Sequence, residues 1–334
     1  MKKNFFIAAI LVFSIVFYIF FSKKKIEINI LLATDERIQA LSEQELEILK
    51  KYIAEISSNL LDIKIIIKNT DRKKFIDYIK NVEAEASDPY RNTGGIYDKY
   101  NMSTEFYLPK VYDHNELSRI IEPVFATLNM DEKKRFFSDA FAGKFGGLYH
   151  ELPESFYSEF SSTAIENVRK LLSIKDKYGK DFFSLYYNFR LWDNMIKSEE
   201  KFELILFNGM LLDDLYKIQT SFMSLHTFQR GGLSYGFASK SKTEQKRTCV
   251  IGMMPIMSDE KIFEELRGKL TGNDKLLVLA HVICHEFGHA FLDYYDEYSH
   301  ENCIMNPVDN YNFIEFISKK KYCDKKHRKL GLDE

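Results

Sequence analysis

His285, Glu286 and His289 stand as H-E-x-x-H inside the run HVICHEFGHAFLDYYDEY, residues 281–298. On a helix, two histidines four apart leave the same face one turn apart, so both imidazoles can reach one metal ion. Zn²⁺ is the ion this spacing suits, with Zn–N bonds of ~2.0–2.1 Å. Glu286 lies 100° around the helix from its neighbour, close to the ion without ligating it. A carboxylate there can take a proton from an attacking water and pass it to a leaving amine. Such a site needs a third protein ligand and an open fourth position, and the motif alone leaves that ligand open.

His281 falls one turn before His285 on the same face and reads as a core or supporting histidine rather than a fourth ligand. Cys284 points elsewhere on the helix and reads as packing. Gly288, between the histidines, permits a close approach of another segment.

The helix that carries these residues is expected to begin at Asn273 or Asp274, either a suitable N-cap, and Leu276 to Ala280 bury one side of it. Further upstream, Ile26–Leu32 and Leu61–Ile67 read as strands. Between them, Leu46, Leu49, Ile53 and Ile56 recur at helical spacing behind a Ser42/Glu45 capping box. This is a βαβ unit with parallel strands. Residues 87–200 read as a helical insertion, with helices near 115–128, 131–142, 154–176 and 180–198 whose aromatic positions form their own core. Strand character returns at Phe202–Phe207, Gly232–Ala238 and Thr248–Met254, and the polar Lys240–Arg247 reads as a solvated turn.

The first 25 residues form a separate unit. Phe5–Phe21 is an apolar run, broken only by Ser14, with lysines on both sides, about 25 Å long as a helix at ~1.5 Å per residue. It reads as an uncleaved signal anchor, with a cleaved signal peptide as the alternative. The expected topology is single-pass, with the domain of residues 26–334 outside the cytoplasm. A Cys303–Cys323 disulfide is compatible with that compartment, as is a reduced pair. The chain of 334 residues has a net charge of −2 with both signs interspersed, which gives no footprint for nucleic acid.

With Cys303-Ile304-Met305-Asn306-Pro307 following the motif, residues 281–307 resemble the metzincin class of zinc peptidases, and Met305 matches its Met-turn methionine. The resemblance extends more loosely over 26–85 and 201–325. It implies a mixed α/β (α+β) fold: a metzincin-like core with a twisted mixed sheet, an active-site helix and, here, a large helical insertion, preceded by one transmembrane helix. The chain departs from that pattern at Leu292, where glycine is expected, and at Tyr295, where a His or Asp is expected. The H-E-F-G-H…D-E-Y wording resembles instead the IgA-peptidase family of metallopeptidases. That resemblance implies Asp296 as the third zinc ligand beside His285 and His289, with Glu286 as general base and acid. His300 is an alternative ligand, as is Glu315 if the chain follows the other large H-E-x-x-H class; Asp293, Tyr295 and Glu297 are further candidates. Tyr298 or Tyr311 could assist the oxyanion, and no inhibitory prosegment is expected.

The function these features imply is zinc-dependent hydrolysis of peptide bonds in a protein or peptide substrate. The substrate is expected to lie along Gly232–Ala238 or Thr248–Met254 by strand addition. A non-catalytic scaffold stapled by zinc, or an amidase acting on cell-wall peptides, are the alternatives.

Overall fold

A computed structural model describes residues 23–85, 114–141, 152, 154–180, 185–187, 200–213, 227, 229–240, 247–270, 272–296, 303–306 and 313. The apolar N-terminal run, His300, Glu315, Cys323, Glu297, Tyr298 and Tyr311 lie outside the described residues, and so do residues 241–246 of the polar turn.

Strand β1 (Lys24–Thr34), helix α1 (Glu43–Leu60) and strand β2 (Ile63–Lys74) form the expected strand–helix–strand unit. The strands pair parallel from Lys24↔Ile63 to Thr34↔Lys74. Lys24 and Lys25, grouped by sequence with the N-terminal segment, are therefore the first residues of the sheet. The capping box closes as expected: Ser42 Oγ accepts the Glu45 amide at 3.2 Å, and a Glu45 carboxylate oxygen accepts the Ser42 amide at 2.8 Å.

Strands β4 (Leu204–Phe207), β7 (Gly236–Lys240) and β8 (Arg247–Gly252) complete a five-stranded mixed sheet in the order β2-β1-β4-β8-β7, parallel except for β7. Every residue of β4 is buried because both faces of the sheet are covered. The period of two sorts the side chains. Ile30, Leu32, Leu204, Leu206, Cys249 and Ile251 join the core beneath α1 and the motif helix. Leu31, Ala33, Ile205, Phe207 and Val250 pack on the other face against Phe75, Tyr78 and Ile79 of α2 (Phe75–Glu85).

Helices α3 (His114–Thr127), α4 (Met130–Phe141) and α5 (Glu154–Leu172) match three of the four expected in the insertion, and their aromatic rings pack on one another, Phe156 on Phe160 at 5.4 Å and Phe136 on Phe137 at 5.9 Å. The fourth differs. Leu185–Tyr187, inside the helix expected at 180–198, is strand β3, paired with β5 (Leu211–Asp213), which pairs in turn with β6 (Leu233–Ser234). Leu-Tyr-Tyr suits a pleated surface as well as a helical one, and the neighbouring edge decides. Apart from Lys180, the rest of 180–198 lies outside the described residues.

Two other expectations need correction. Gly232–Ala238 is not one strand. It breaks at Tyr235, so that β6 serves the small three-stranded sheet and β7 the large one. Thr248–Met254 ends at Gly252, because Met254 opens the short helix α6 (Met254–Met257), where Pro255 suits a first turn.

After α7 (Lys261–Arg267) comes the motif helix α8 (Asn273–Leu292). Its N-cap is Gly272, without a side-chain cap, so Asn273 and Asp274 lie in the first turn, where the Asp274 charge complements the helix dipole. Among the described residues, α8 has the length and apolarity of a membrane span, yet 83% of its most apolar window is buried in the fold. Its hydrophobicity goes to packing.

Candidate metal centre

The last turns of α8 are fixed from several sides. The Phe291 carbonyl accepts the Lys24 ammonium at 3.0 Å and the Arg247 guanidinium at 2.8 Å, two cations at a helix C-terminus. Composition alone did not reveal these partners: Lys24 reads as the flank of an apolar run and Arg247 as part of a solvated turn.

The helix runs through Leu292, and the chain reverses at Asp293, which takes the left-handed conformation (φ 57°, ψ 35°) usually left to glycine. The absent glycine at 292 is thus replaced by an aspartate one place later, and the Tyr294 amide returns to the Gly288 carbonyl at 3.1 Å. This reversal carries Asp296 back beneath the histidines.

A second turn, Cys303–Asn306, closes with the Asn306 amide on the Cys303 carbonyl at 3.0 Å. It places fully buried Met305 against Gly288, where a Cβ would overlap the methionine sulfur. Gly288→Ala is therefore expected to destabilise the fold by about 1–3 kcal/mol, the range for overpacking a tight core. Denaturant midpoints measure this. Adding Met305→Ala should return part of the loss, and two strictly additive effects would mean that the contact is not the cause.

The ring tautomers follow from the backbone. His285 Nδ1 faces the Ile304 carbonyl at 2.9 Å and His289 Nδ1 faces the Tyr294 carbonyl at 2.6 Å. Carbonyl oxygens only accept, so each Nδ1 carries a proton, and in the neutral ring each Nε2 presents a lone pair. The two Nε2 atoms are 3.1 Å apart, and each lies 3.3 Å from Asp296 Oδ1. That oxygen is buried and, among the described residues, meets no donor other than these two rings.

Three electron-rich atoms held this closely repel one another unless a proton or a metal ion stands among them. Ligands at ~2.0–2.1 Å in a tetrahedron stand roughly 3.3–3.4 Å apart, so the triangle matches one face of a zinc-sized coordination sphere. His285, His289 and Asp296 form a group that could hold a metal ion.

Burial opposes a charged His289 ring, but the hydrogen bond and charge of Asp296 outweigh it and raise the ring to about 9. Burial alone would raise Asp296. Its contacts with His285 and His289 reverse that, and its carboxyl falls well below the usual carboxylate range.

Glu286 is 7% exposed. Burial pushes its carboxyl up, opposed by the fields of His285 and His289 and reinforced by that of Asp296. A Cβ on Gly236 would stand 3.5 Å from Glu286 Cγ, so β7 runs directly beside this carboxylate. Among the described residues, β7 is the outer strand of the large sheet, an edge that could pair with a further strand. The alternative at Thr248–Met254 does not, because β8 is hydrogen-bonded to β4 on one side and β7 on the other.

The remaining candidates separate from the centre. His281 Nδ1 lies 2.9 Å from the Leu277 carbonyl of its own helix, and burial lowers its pKa, as suits a core histidine. Cys284 packs against α1, with Sγ 3.7 Å from the Ile53 carbonyl.

Comparison of the chain with family models, with curated proteins and with solved structures finds no match.

Proposed function

We propose that this chain is a membrane-anchored zinc peptidase with a metzincin-like core, in which His285, His289 and Asp296 hold the ion and Glu286 moves the proton. One observation carries the reading: three lone-pair atoms spaced 3.1, 3.3 and 3.3 Å, with both ring tautomers set by backbone carbonyls. Zinc bound there supplies Lewis acidity toward a water and a carbonyl oxygen.

The protein's own groups do the rest. The edge of β7 pairs with an extended peptide by main-chain hydrogen bonds and brings the scissile carbonyl alongside Glu286. Glu286 removes a proton from the attacking water as oxygen bonds to the carbonyl carbon. The C–N bond then breaks, and the amine departs with the proton Glu286 had taken. Met305 and Gly288 keep the helix and the turn beneath it in contact, which holds the His285 ring through the Ile304 carbonyl.

A zinc-stapled scaffold would need a fourth protein ligand such as His281 or His300; His281 is turned to the Leu277 carbonyl, which supports the catalytic reading, and His300 lies outside the described residues. The anchor belongs to the same proposal. Lys24, three residues after the apolar run, bonds the end of the motif helix, so the site would work close to the bilayer on exposed segments of protein substrates.

The purified chain is expected to hydrolyse a mixture of quenched fluorescent peptides, to lose that activity on chelation and to regain it with stoichiometric Zn²⁺. Tight stoichiometric zinc with no hydrolysis of peptide or unfolded protein would favour the scaffold instead.

A further inference from the structure

A cavity of ≈ 390 Å³ opens beyond the carboxyl ends of β1, β4 and β8, lined by Ile38, Asn208 and Met253 among others. Its position follows from the topology. From β1 the chain crosses through α1 to β2 on one side, while β4 lies on the other side of β1. The loops after β1 and β4 therefore diverge, and a crevice forms beyond the carboxyl ends of the parallel strands, the usual ligand position in such sheets. Lys275, near the start of α8, fixes one wall of the cavity. His285 lies ten residues further along that helix, about 15 Å away at ~1.5 Å per residue.

The walls are built by buried polar groups. Asn208, 4% exposed, accepts the Asp35 amide at 2.7 Å and donates to the Asp35 and Ile38 carbonyls at 2.9 and 3.2 Å. The Asp35 carboxylate in turn holds the Arg37 guanidinium at 2.6 Å. On the second wall, fully buried Arg267 donates to the carbonyls of Pro255 and Gly268 at 2.7 Å each and to that of Ser258. Lys275 Nζ binds the Met257 carbonyl at 2.9 Å and Asp259 Oδ1 at 2.6 Å. The third wall is a tight turn in which Asp176 Oδ1 accepts the amides of Tyr178 and Lys180 at 2.9 Å. The Lys177 amide joins that turn to the Arg37 carbonyl at 3.0 Å. These bonds fix the crevice in advance of any ligand.

Its chemistry selects the occupant. Ile38, Leu41, Met253, Met254 and Met257 give an apolar floor that adapts to varied shapes. Lys175, Asp176 and Lys177 line it from one segment, with the Lys177 ammonium over the exposed Tyr178 ring at 5.2 Å, and Asp259 and Glu260 line it from another. A nucleotide or other polyanion is disfavoured. The N-terminus of α1, which would ordinarily take a phosphate, is already capped by the Glu45 carboxylate, and Glu45 itself lines the cavity.

We propose that this crevice binds a small zwitterion with an apolar body, an apolar amino acid or short peptide. Its carboxylate meets Lys175 and Lys177, its ammonium meets Asp259 and Glu260, and its side chain rests on the methionines. The inference does not depend on the metal centre being catalytic.

The test is titration of L-leucyl-L-leucine into the full-length chain carrying Glu286→Gln, so that the peptide is not consumed. Saturable binding with Kd below about 1 mM is expected. N-acetylation, C-amidation or the exposed double substitution Lys175→Glu/Lys177→Glu should each weaken it about tenfold or more, and His289→Ala should leave it unchanged. Free leucine binding equally well identifies the amino acid as the natural occupant, and weaker binding identifies the peptide. The proposal is overturned by no saturable binding, by capped dipeptide binding as tightly as the zwitterion, or by binding that survives Lys175→Glu/Lys177→Glu and vanishes with His289→Ala. The last result would put the peptide in the metal cleft.

Discussion

Glu286→Gln is expected to lower peptide hydrolysis by about 10²–10⁴-fold, the range for removing a positioned general acid–base, while bound zinc stays stoichiometric. Glutamine keeps the shape and loses the ability to take a proton from water. The metal ligands should be little disturbed, because His285 and His289 are held through Nδ1 by the Ile304 and Tyr294 carbonyls. A stability measurement separates this effect from damage to the fold. Burial raises the Glu286 pKa, so in the metal-free protein the ionised carboxylate opposes folding. A raised acid contributes fully to stability below its unfolded pKa, and the contribution is lost as pH rises through the folded value. Chelated Glu286→Gln should therefore melt no lower than chelated wild type at neutral pH. Hydrolysis retained by a zinc-loaded Glu286→Gln protein would remove Glu286 from the mechanism.

How far the sequence discloses this molecule depends on how local each signal is. The β1–α1–β2 unit is legible because alternation, the stripe of Leu46, Leu49, Ile53 and Ile56 and the Ser42/Glu45 box all lie within a short stretch and agree. Sheet membership is a different matter. Leu233–Ser234 and Gly236–Lys240 look like one strand because both suit a pleated surface; only partners far along the chain divide them at Tyr235. The same holds for Leu185–Tyr187, where an aromatic run compatible with a helix meets the edge of β5.

The candidate site shows the same division. The two histidines are a local signal on one helix. The carbonyl that sets the His285 tautomer comes from Ile304, 19 residues on, and the cation on Phe291 from Lys24, 267 residues away. No residue type announces a backbone carbonyl. The route to Asp296 is hidden for a related reason: its turn uses a left-handed aspartate at 293 where a glycine would have marked the reversal.

Asp296→Asn is expected to weaken zinc binding by at least about 100-fold, since loss of outer hydrogen-bond partners alone costs about 10–100-fold and this oxygen belongs to the coordinating triangle. The change should also alter the proton count. Against the effect of burial, Asp296 raises the metal-free His289 ring to about 9, so at neutral pH that ring carries two protons. It must release one to offer its Nε2 lone pair, so zinc uptake should liberate about one proton and apparent affinity should fall as pH drops below about 9. In Asp296→Asn the largest raising contributions are gone, leaving the smaller ones of Glu286 and the Tyr294 carbonyl against burial, so proton release should fall. Calorimetry in buffers of different ionisation enthalpy reads both quantities. The metal-free proteins give an independent check. The raised histidine contributes stability fully below its unfolded value of 6.5 and loses it as pH rises through about 9. The lowered aspartate contributes above its unfolded value of 3.8 and loses it as pH falls. Chelated wild type should therefore exceed chelated Asp296→Asn in melting temperature near pH 6 and lose that margin above pH ~9. Wild-type zinc affinity in Asp296→Asn would move the third ligand elsewhere, with His300 and Glu315 next in line.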